Sequence, residues 1–264
     1  MPHIAHAPIL RKQRWGDYYL FTFRAPALAS EANPGQFAMI RVNETPYPLL
    51  RRPISLHAKE GEAIEIFFKV AGEGTSLLAR KNEGETLDVL GPLGRGFDLD
   101  IPLEGKTAYL IGGGRGIAPL FFLGCELGAK GAFVKVLYGG RTVADLPVRD
   151  KFENAGLEIV CSTDDGSSGY RGFVTALLEV EIAGRRPDVL FVCGPDPMMR
   201  ACAGIAGRHK VPAQISLESI MGCGFGACWG CVHRIRRSGE AKWRRICEDG
   251  PVFAAEEIVW DEEL

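Results

Sequence analysis

The sequence has no long hydrophobic run, no strong excess of charge and no set of residues arranged for acid–base or nucleophilic catalysis. Its most apolar stretch, Thr107–Cys125, is interrupted by glycines and carries Arg115, so it is not expected to span a bilayer. The first residues lack the apolar core of a signal peptide, and a cytoplasmic protein is expected. A net charge of −2 over 264 residues gives no electrostatic reason to expect nucleic acid or a membrane as partner. No residue is assigned a catalytic role.

The patterns of apolar residues predict three segments. Residues 1–101 contain short β-rich runs separated by Pro-Gly and Gly-Pro turns, which favour a small antiparallel β-barrel, with only Thr75–Asn82 helical. Residues 102–217 alternate strand-like and helical runs, as in a doubly wound α/β domain with a parallel sheet. Residues 218–264 are predicted to be mostly loops around a group of cysteines. The predicted fold class is therefore α/β plus all-β.

The cysteine group is the most specific feature of the sequence. Cys223, Cys228, Cys231 and Cys247 have the spacing C-x4-C-x2-C-x15-C. Three cysteines on one loop with a distant fourth are typical of plant-type [2Fe–2S] sites. The intervening glycines allow the tight backbone turns that bring thiolates, and N–H groups, around a cluster. These four cysteines are the predicted metal ligands.

Two other chemistries remain open for these cysteines. A structural zinc site usually presents two separate C-x2-4-C pairs, and disulfides belong to oxidising compartments. Zinc would point to a non-enzymatic interaction module.

Three short motifs could hold a flavin or a dinucleotide. Arg52-Pro53-Ile54-Ser55 could supply a cation for a diphosphate and a hydrogen-bonding group, although an ordinary edge strand fits equally well. Gly72-Glu73-Gly74-Thr75 opens a short helix, whose N-terminal N–H groups suit an anion. The run Gly112–Gly116 follows a strand and opens a helix, as a dinucleotide phosphate loop does, but lacks the strict fingerprint. The choice between NAD and NADP stays open.

In this order, RPIS, GEGT, GPLG, GGGRGIAP and CGPDPMM resemble the ferredoxin–NAD(P) reductase family. The segment GCGFGACWGCV followed by RRICEDGPVF is similar to the electron-transfer subunits of NAD-linked dihydroorotate dehydrogenases of the B type. The resemblance implies FAD, NAD(H) and a [2Fe–2S] cluster as cofactors. The FAD-binding residues that it implies are Arg52, Pro53, Ile54, Ser55, Phe67, Phe68, Lys69, Gly74 and Thr75. The residues that it implies for NAD(H) are Gly112, Gly113, Gly114, Gly116, Cys193, Gly194 and Pro195.

The same resemblance implies a partner, namely an FMN-containing catalytic subunit that oxidises dihydroorotate, in a heterotetramer with two copies of each subunit. The alternative is an NAD(P)H-dependent flavin and iron–sulfur reductase that serves a ferredoxin, an oxygenase or a hydrogenase. Arg115 departs from the small or aliphatic residue common in the glycine loop of relatives. Phe225 and Trp229 either dock on the partner or pack against the barrel over the flavin.

Overall fold

A computed structural model of the chain describes residues 3–100 and 102–260. The predicted boundary residue 101 and the outer ends of the first and third predicted segments lie outside these ranges. The three-segment division therefore stays a prediction.

The first segment forms a closed six-stranded antiparallel barrel with the strand order β1-β2-β5-β4-β3-β6. Its strands are β1 (His3–Trp15), β2 (Tyr18–Arg24), β3 (Phe37–Arg41), β4 (Arg52–Glu60), β5 (Ala63–Lys69) and β6 (Thr86–Leu93). The alternation of apolar residues in β5 places Ile64 and Ile66 in the barrel core, where they are fully buried. The prediction of an antiparallel barrel is confirmed.

Two helices accompany the barrel, α1 (Pro26–Glu31) and α2 (Glu73–Arg80). The prediction that only Thr75–Asn82 is helical in this half was wrong, because α1 was missed and α2 begins two residues earlier. Helix α1 spans only six residues, so its apolar pattern is too short to recognise, and buried Leu28 and Ala29 anchor it on the barrel.

The second segment forms a sheet of six parallel strands in the order β10-β9-β8-β7-β11-β12. These are β7 (Thr107–Gly113), β8 (Phe133–Gly140), β9 (Glu158–Thr163), β10 (Tyr170–Arg171), β11 (Val189–Cys193) and β12 (Ala213–Ser216). The connecting helices are α3 (Ala118–Ala129), α4 (Arg149–Asn154), α5 (Val174–Gly184) and α6 (Asp196–His209). Helices α3 and α4 share one core with the sheet, and α5 and α6 share another. The doubly wound prediction is confirmed.

The third segment is more ordered than the sequence suggested. It contains a hairpin of β13 (Val232–Arg237) and β14 (Glu240–Arg245), the short helix α7 (Ile246–Asp249) and strand β15 (Val252–Ala254). Strand β15 pairs antiparallel with β12, so the segment extends the sheet of the second one. The loop around the cysteines, residues 218–231, agrees with the prediction of mostly loops, but the hairpin that follows it was missed. The frequent charges in β13 and β14 hid the strand alternation, which is visible only at buried Ile235.

Barrel and sheet meet through α3, which lies against β4. Fully buried His57 of β4 donates a hydrogen bond from Nδ1 to the carbonyl oxygen of Ala118 at 2.8 Å and stacks on Phe121. Its Nε2 has no hydrogen-bond partner. Burial, with the nearby Lys151 charge, lowers the pKa of His57 to about 3.

This buried histidine predicts sensitivity to acid. Below the unfolded pKa of about 6.5 the unfolded chain takes up a proton that the folded chain refuses, so stability present above that pH is lost as the pH falls toward 3. At pH 5 the loss from this one group is on the order of 2 kcal/mol. His57→Gln keeps a donor for Ala118 and should reduce the difference between unfolding free energies measured at pH 7 and pH 5. Exposed His6→Gln is the control, and an equal acid loss in all three proteins would contradict the assignment.

No helix within residues 3–100 and 102–260 is both long and apolar enough to cross a membrane.

Candidate functional site

The hairpin brings the four predicted metal ligands together. Cys223, Cys228 and Cys231 lie on the loop before β13, and Cys247 lies in α7 directly after β14. Because Val232 pairs with Arg245, the start of β13 and the end of β14 are adjacent. The N–H of Ile246 donates to the carbonyl oxygen of Cys231 at 2.8 Å, and the N–H of Cys247 donates to the sulfur of Cys231 at 3.4 Å.

The thiols are arranged as two pairs. The side chain of Cys223 contacts that of Cys228, and the side chain of Cys247 contacts that of Cys231. In the described ranges no three or more Cys, His, Asp or Glu side chains form a group that could hold a single metal ion. A zinc ion would need four ligands around one point, whereas two irons can each take one pair of thiolates. The donor set therefore fits a [2Fe–2S] cluster better than zinc.

Backbone N–H groups point at all four sulfurs. Besides the bond to Cys231, the N–H groups of Gly226, Cys228 and Gly230 donate to the sulfurs of Cys247, Cys223 and Cys228 at 3.2, 3.4 and 3.5 Å. The turns require positive φ, which is +84° at Gly224 and +87° at Gly226. Such hydrogen bonds stabilise thiolates and tune the potential of a cluster.

The two ends of the site differ in acidity. Burial raises the pKa of Cys223, but hydrogen bonds from the N–H groups of Phe225 and Cys228 outweigh it and bring the pKa to about 7. Burial and the neighbouring Cys231 raise the pKa of Cys247 to about 12. Ligation of a metal by Cys247 must therefore displace the proton of its thiol, as it does in other thiolate sites.

Arg245 clamps the cysteine loop, a role that the sequence did not indicate. Its guanidinium donates to the carbonyl oxygen of Gly226 at 3.0 Å, pairs with Glu248 at 2.7 Å and lies 4.8 Å from the ring centre of Trp229. The predicted docking residues Phe225 and Trp229 are 53% and 56% exposed, so about half of each side chain is open to solvent.

A first cavity, here called the barrel cavity, has a volume of about 210 Å³ and lies beside the cysteine loop. Seven of the nine predicted FAD-binding residues line it, namely Pro53, Ile54, Ser55, Phe67, Phe68, Lys69 and Thr75. Cys193, predicted for NAD(H), lines this cavity too. The cavity combines an apolar wall with a few polar groups, as flat aromatic cofactors require.

The other two predicted FAD residues, Arg52 and Gly74, meet beside this cavity. A side chain at Gly74 would overlap the guanidinium of Arg52, so the glycine is what allows a cation to lie over the start of α2. The hydroxyl of Thr75 accepts from the N–H groups of Ala71 and Gly72, which fixes this turn. A cation above a helix N-terminus suits a diphosphate. These residues fit the predicted FAD.

A second cavity, here called the sheet cavity, has a volume of about 860 Å³ at the carboxyl edge of the parallel strands. Gly113, Gly114, Gly194 and Pro195 line it, as predicted for NAD(H). Gly112 and Gly116, at the two ends of the loop, are buried and do not line the cavity. A side chain at Gly116 would collide with the backbone of Cys193 and Gly194, so this glycine lets the two loops approach each other. The loop and edge fit a dinucleotide.

Tyr18, Lys69 and Asp145 form a charged cluster on the wall of the sheet cavity that sequence patterns did not reveal. The hydroxyl of Tyr18 donates to Asp145 at 2.7 Å, and the ammonium of Lys69 lies 3.1 Å from the same carboxylate. Burial opposes ionisation of Asp145, but the hydrogen bonds from Tyr18 and Lys69 prevail and lower its pKa. The cluster connects the barrel to the nucleotide-binding segment.

Comparison with known proteins agrees with this geometry. The family model described as the iron–sulfur cluster binding domain of dihydroorotate dehydrogenase B matches residues 218–259, and that of the oxidoreductase NAD-binding domain matches residues 110–204. A solved structure from work on flavin-based electron bifurcation by the NADH-dependent reduced ferredoxin–NADP oxidoreductase superimposes with a TM-score of 0.85 at 33% identity, covering 99% of this chain and 92% of that one.

Two curated relatives extend the similarity over nearly the whole chain. A protein of Geobacillus thermodenitrificans is 43% identical, covering 91% of this chain and 92% of the relative, and one of Desulforamulus reducens is 39% identical, covering 92% and 93%. Both are named dihydroorotate dehydrogenase B (NAD(+)), electron transfer subunit. The chain therefore belongs to the family of dihydroorotate dehydrogenase B electron transfer subunits.

Proposed function

We propose that the chain is the electron-transfer subunit of an NAD-linked dihydroorotate dehydrogenase, connecting the FMN of a catalytic partner subunit to NAD+ in pyrimidine biosynthesis. The observation that carries the proposal is the continuity between the cysteine loop and the barrel cavity. Met221, next but one to Cys223, and Pro251, shortly after Cys247, both line that cavity. A group held by the cysteines would therefore lie close to a ring system in the cavity.

When bound, the [2Fe–2S] cluster and FAD supply one-electron exchange and its conversion to hydride transfer to NAD+. The residues of the chain position these groups. The four cysteines would hold the first, and Arg52 with the start of α2 would hold the diphosphate of the second. The glycine loop Gly112–Gly116 receives the dinucleotide. This division explains why no acid–base or nucleophilic set is needed.

The test is to co-express the chain with an FMN-type dihydroorotate dehydrogenase from the same genome. We expect a stable complex, of two copies of each subunit, that reduces NAD+ when dihydroorotate is added. Absence of both the complex and this activity would refute the proposal.

A second candidate function follows from the structure of the NADH-dependent reduced ferredoxin–NADP oxidoreductase, which covers 99% of this chain. A subunit of a ferredoxin-linked reductase would use the same cavities and differ in its protein partner. Reduction of NADP+ by reduced ferredoxin, without any response to dihydroorotate, would favour this candidate.

The exposed Trp229 yields a prediction about the partner. Tryptophan and arginine are the side chains that most often carry binding energy at interfaces, and here Trp229 lies at the tip of the cysteine loop against Arg245. Trp229→Ala should weaken association with the catalytic subunit by about 30-fold, as measured by surface plasmon resonance.

Phe133→Ala is a matched control for this prediction. Phe133 is 59% exposed and has Arg185 over its ring, but it begins β8, whereas Trp229 lies on the cysteine loop. Its replacement should leave the affinity unchanged. Equal affinities for wild type and Trp229→Ala would place the interface elsewhere.

A further inference from the structure

The barrel cavity and the sheet cavity share a narrow boundary of mostly charged residues. The four residues that line both cavities are Lys69, Ala71, Arg115 and Glu218. Across this boundary Arg115 donates from Nη2 to Oε2 of Glu218 at 2.9 Å. Rings bound in the two cavities would approach each other beside these residues.

The ion pair connects two elements with different tasks. Arg115 belongs to the glycine loop, in the tight turn Gly114–Ile117, where the φ of Gly114 is +53°. Glu218 directly follows Leu217, at the end of β12, and opens the segment that carries the cysteines. The pair therefore ties the dinucleotide loop to the start of the cysteine segment.

The ion pair is also weak enough for Arg115 to exchange Glu218 for another anion. Its side chains are 53% and 40% exposed, and ion pairs this open to water contribute little. The diphosphate of a dinucleotide carries one negative charge on each phosphate, two in total, and offers an arginine a doubly hydrogen-bonded contact. The glycine loop that carries Arg115 is also the loop expected to receive the phosphates of a dinucleotide.

We propose that Arg115 is a nucleotide-binding residue that exchanges Glu218 for the diphosphate of NAD(H), thereby opening the boundary between the two cavities. This rests on the proposed function in that NAD(H) is the nucleotide. Glu218 acts as a competitor that holds Arg115 until the nucleotide arrives.

The test is calorimetric titration of the FAD-loaded protein with NAD+ and with ADP-ribose, which keeps the diphosphate but lacks the nicotinamide. Glu218→Gln removes the competing charge and should tighten binding of both ligands by about twofold to fivefold. Arg115→Met should weaken binding of both by about tenfold, and Arg115→Met/Glu218→Gln should behave like Arg115→Met. Arg115→Lys should lie between wild type and Arg115→Met, because lysine offers charge without the planar fork.

Arg149→Met is the control, because Arg149 forms an ion pair of similar exposure with Glu153 on α4. The affinity of Arg149→Met for NAD+ and for ADP-ribose should equal that of wild type. If Arg115→Met and Glu218→Gln both bound NAD+ and ADP-ribose more tightly than wild type, the proposal would be overturned. The ion pair would then act by sterically blocking the nucleotide site. Effects confined to NAD+ would also overturn the proposal, since the contact would then be with the nicotinamide. These titrations need no partner subunit, so their outcome is independent of the assay with dihydroorotate.

Discussion

Replacing Cys228 with serine is expected to abolish assembly of the [2Fe–2S] cluster while FAD remains bound. Cys228 forms one of the two thiol pairs with Cys223 and accepts the N–H of Gly230, so its loss leaves one iron with a single thiolate. It does not line the barrel cavity, and the residues around Arg52 and Gly74 do not depend on it. Iron content and the electron paramagnetic resonance signal should fall to background, with the ratio of FAD to protein unchanged.

Cys125→Ser provides the matched control for this experiment. Cys125 is an exposed free cysteine on α3 and belongs to neither thiol pair. Its variant should keep both the iron signal and the FAD. A full cluster signal in Cys228→Ser would show that the ligand assignment is wrong. Loss of FAD together with iron in that variant would show that the two sites fold as one unit.

Replacing Gly74 with valine is expected to yield a folded protein that has lost most of its FAD. The new side chain would occupy the position of the Arg52 guanidinium and push this cation away from the start of α2. The guanidinium ends a flexible side chain, so the fold can adjust, but the anion site cannot form. Loss of a charge-assisted contact to a diphosphate corresponds to about a tenfold to hundredfold lower affinity. Flavin absorbance of the purified protein and titration of the apoprotein with FAD measure the change.

Gly72→Val is the control, since a side chain there meets nothing within 4 Å and the φ of 176° is accessible to any residue. It should retain FAD. An unchanged FAD affinity in Gly74→Val would remove Arg52 and the start of α2 from the diphosphate site. The iron signal should persist in both variants, because neither glycine touches the cysteine loop.

Local patterns in the sequence predicted most of the fold. Strand β11 (Val189–Cys193) shows why the strand-like runs of residues 102–217 were recognisable, because a fully buried strand between parallel neighbours reads as a continuous apolar run. The errors fell on α1, which is short, and on β13 and β14, whose charged residues conceal an alternation that has only one buried member.

The candidate site, like the fold, has features that local sequence patterns predict and features that depend on tertiary contacts. The spacing of Cys223, Cys228, Cys231 and Cys247 alone predicted the chemistry of the cluster, because three ligands lie within one loop and their order is written in the chain. That Cys247 pairs with Cys231 follows from the closure of the hairpin, whereas Cys223 and Cys228 meet within the loop before it. The clamp by Arg245 follows from the same closure.

By itself, the sequence determined the order of the three segments, the types of their elements and the cofactors that their motifs suit. Only the tertiary structure decided which charged groups meet where the cavities adjoin. Tyr18 and Asp145 are 127 positions apart and Arg115 and Glu218 are 103 apart, yet each pair is in hydrogen-bonding contact. Periodicity and spacing report on neighbours along the chain. Contacts between distant residues are fixed by how barrel, sheet and cysteine segment pack together, and the boundary between the two cavities consists of such contacts.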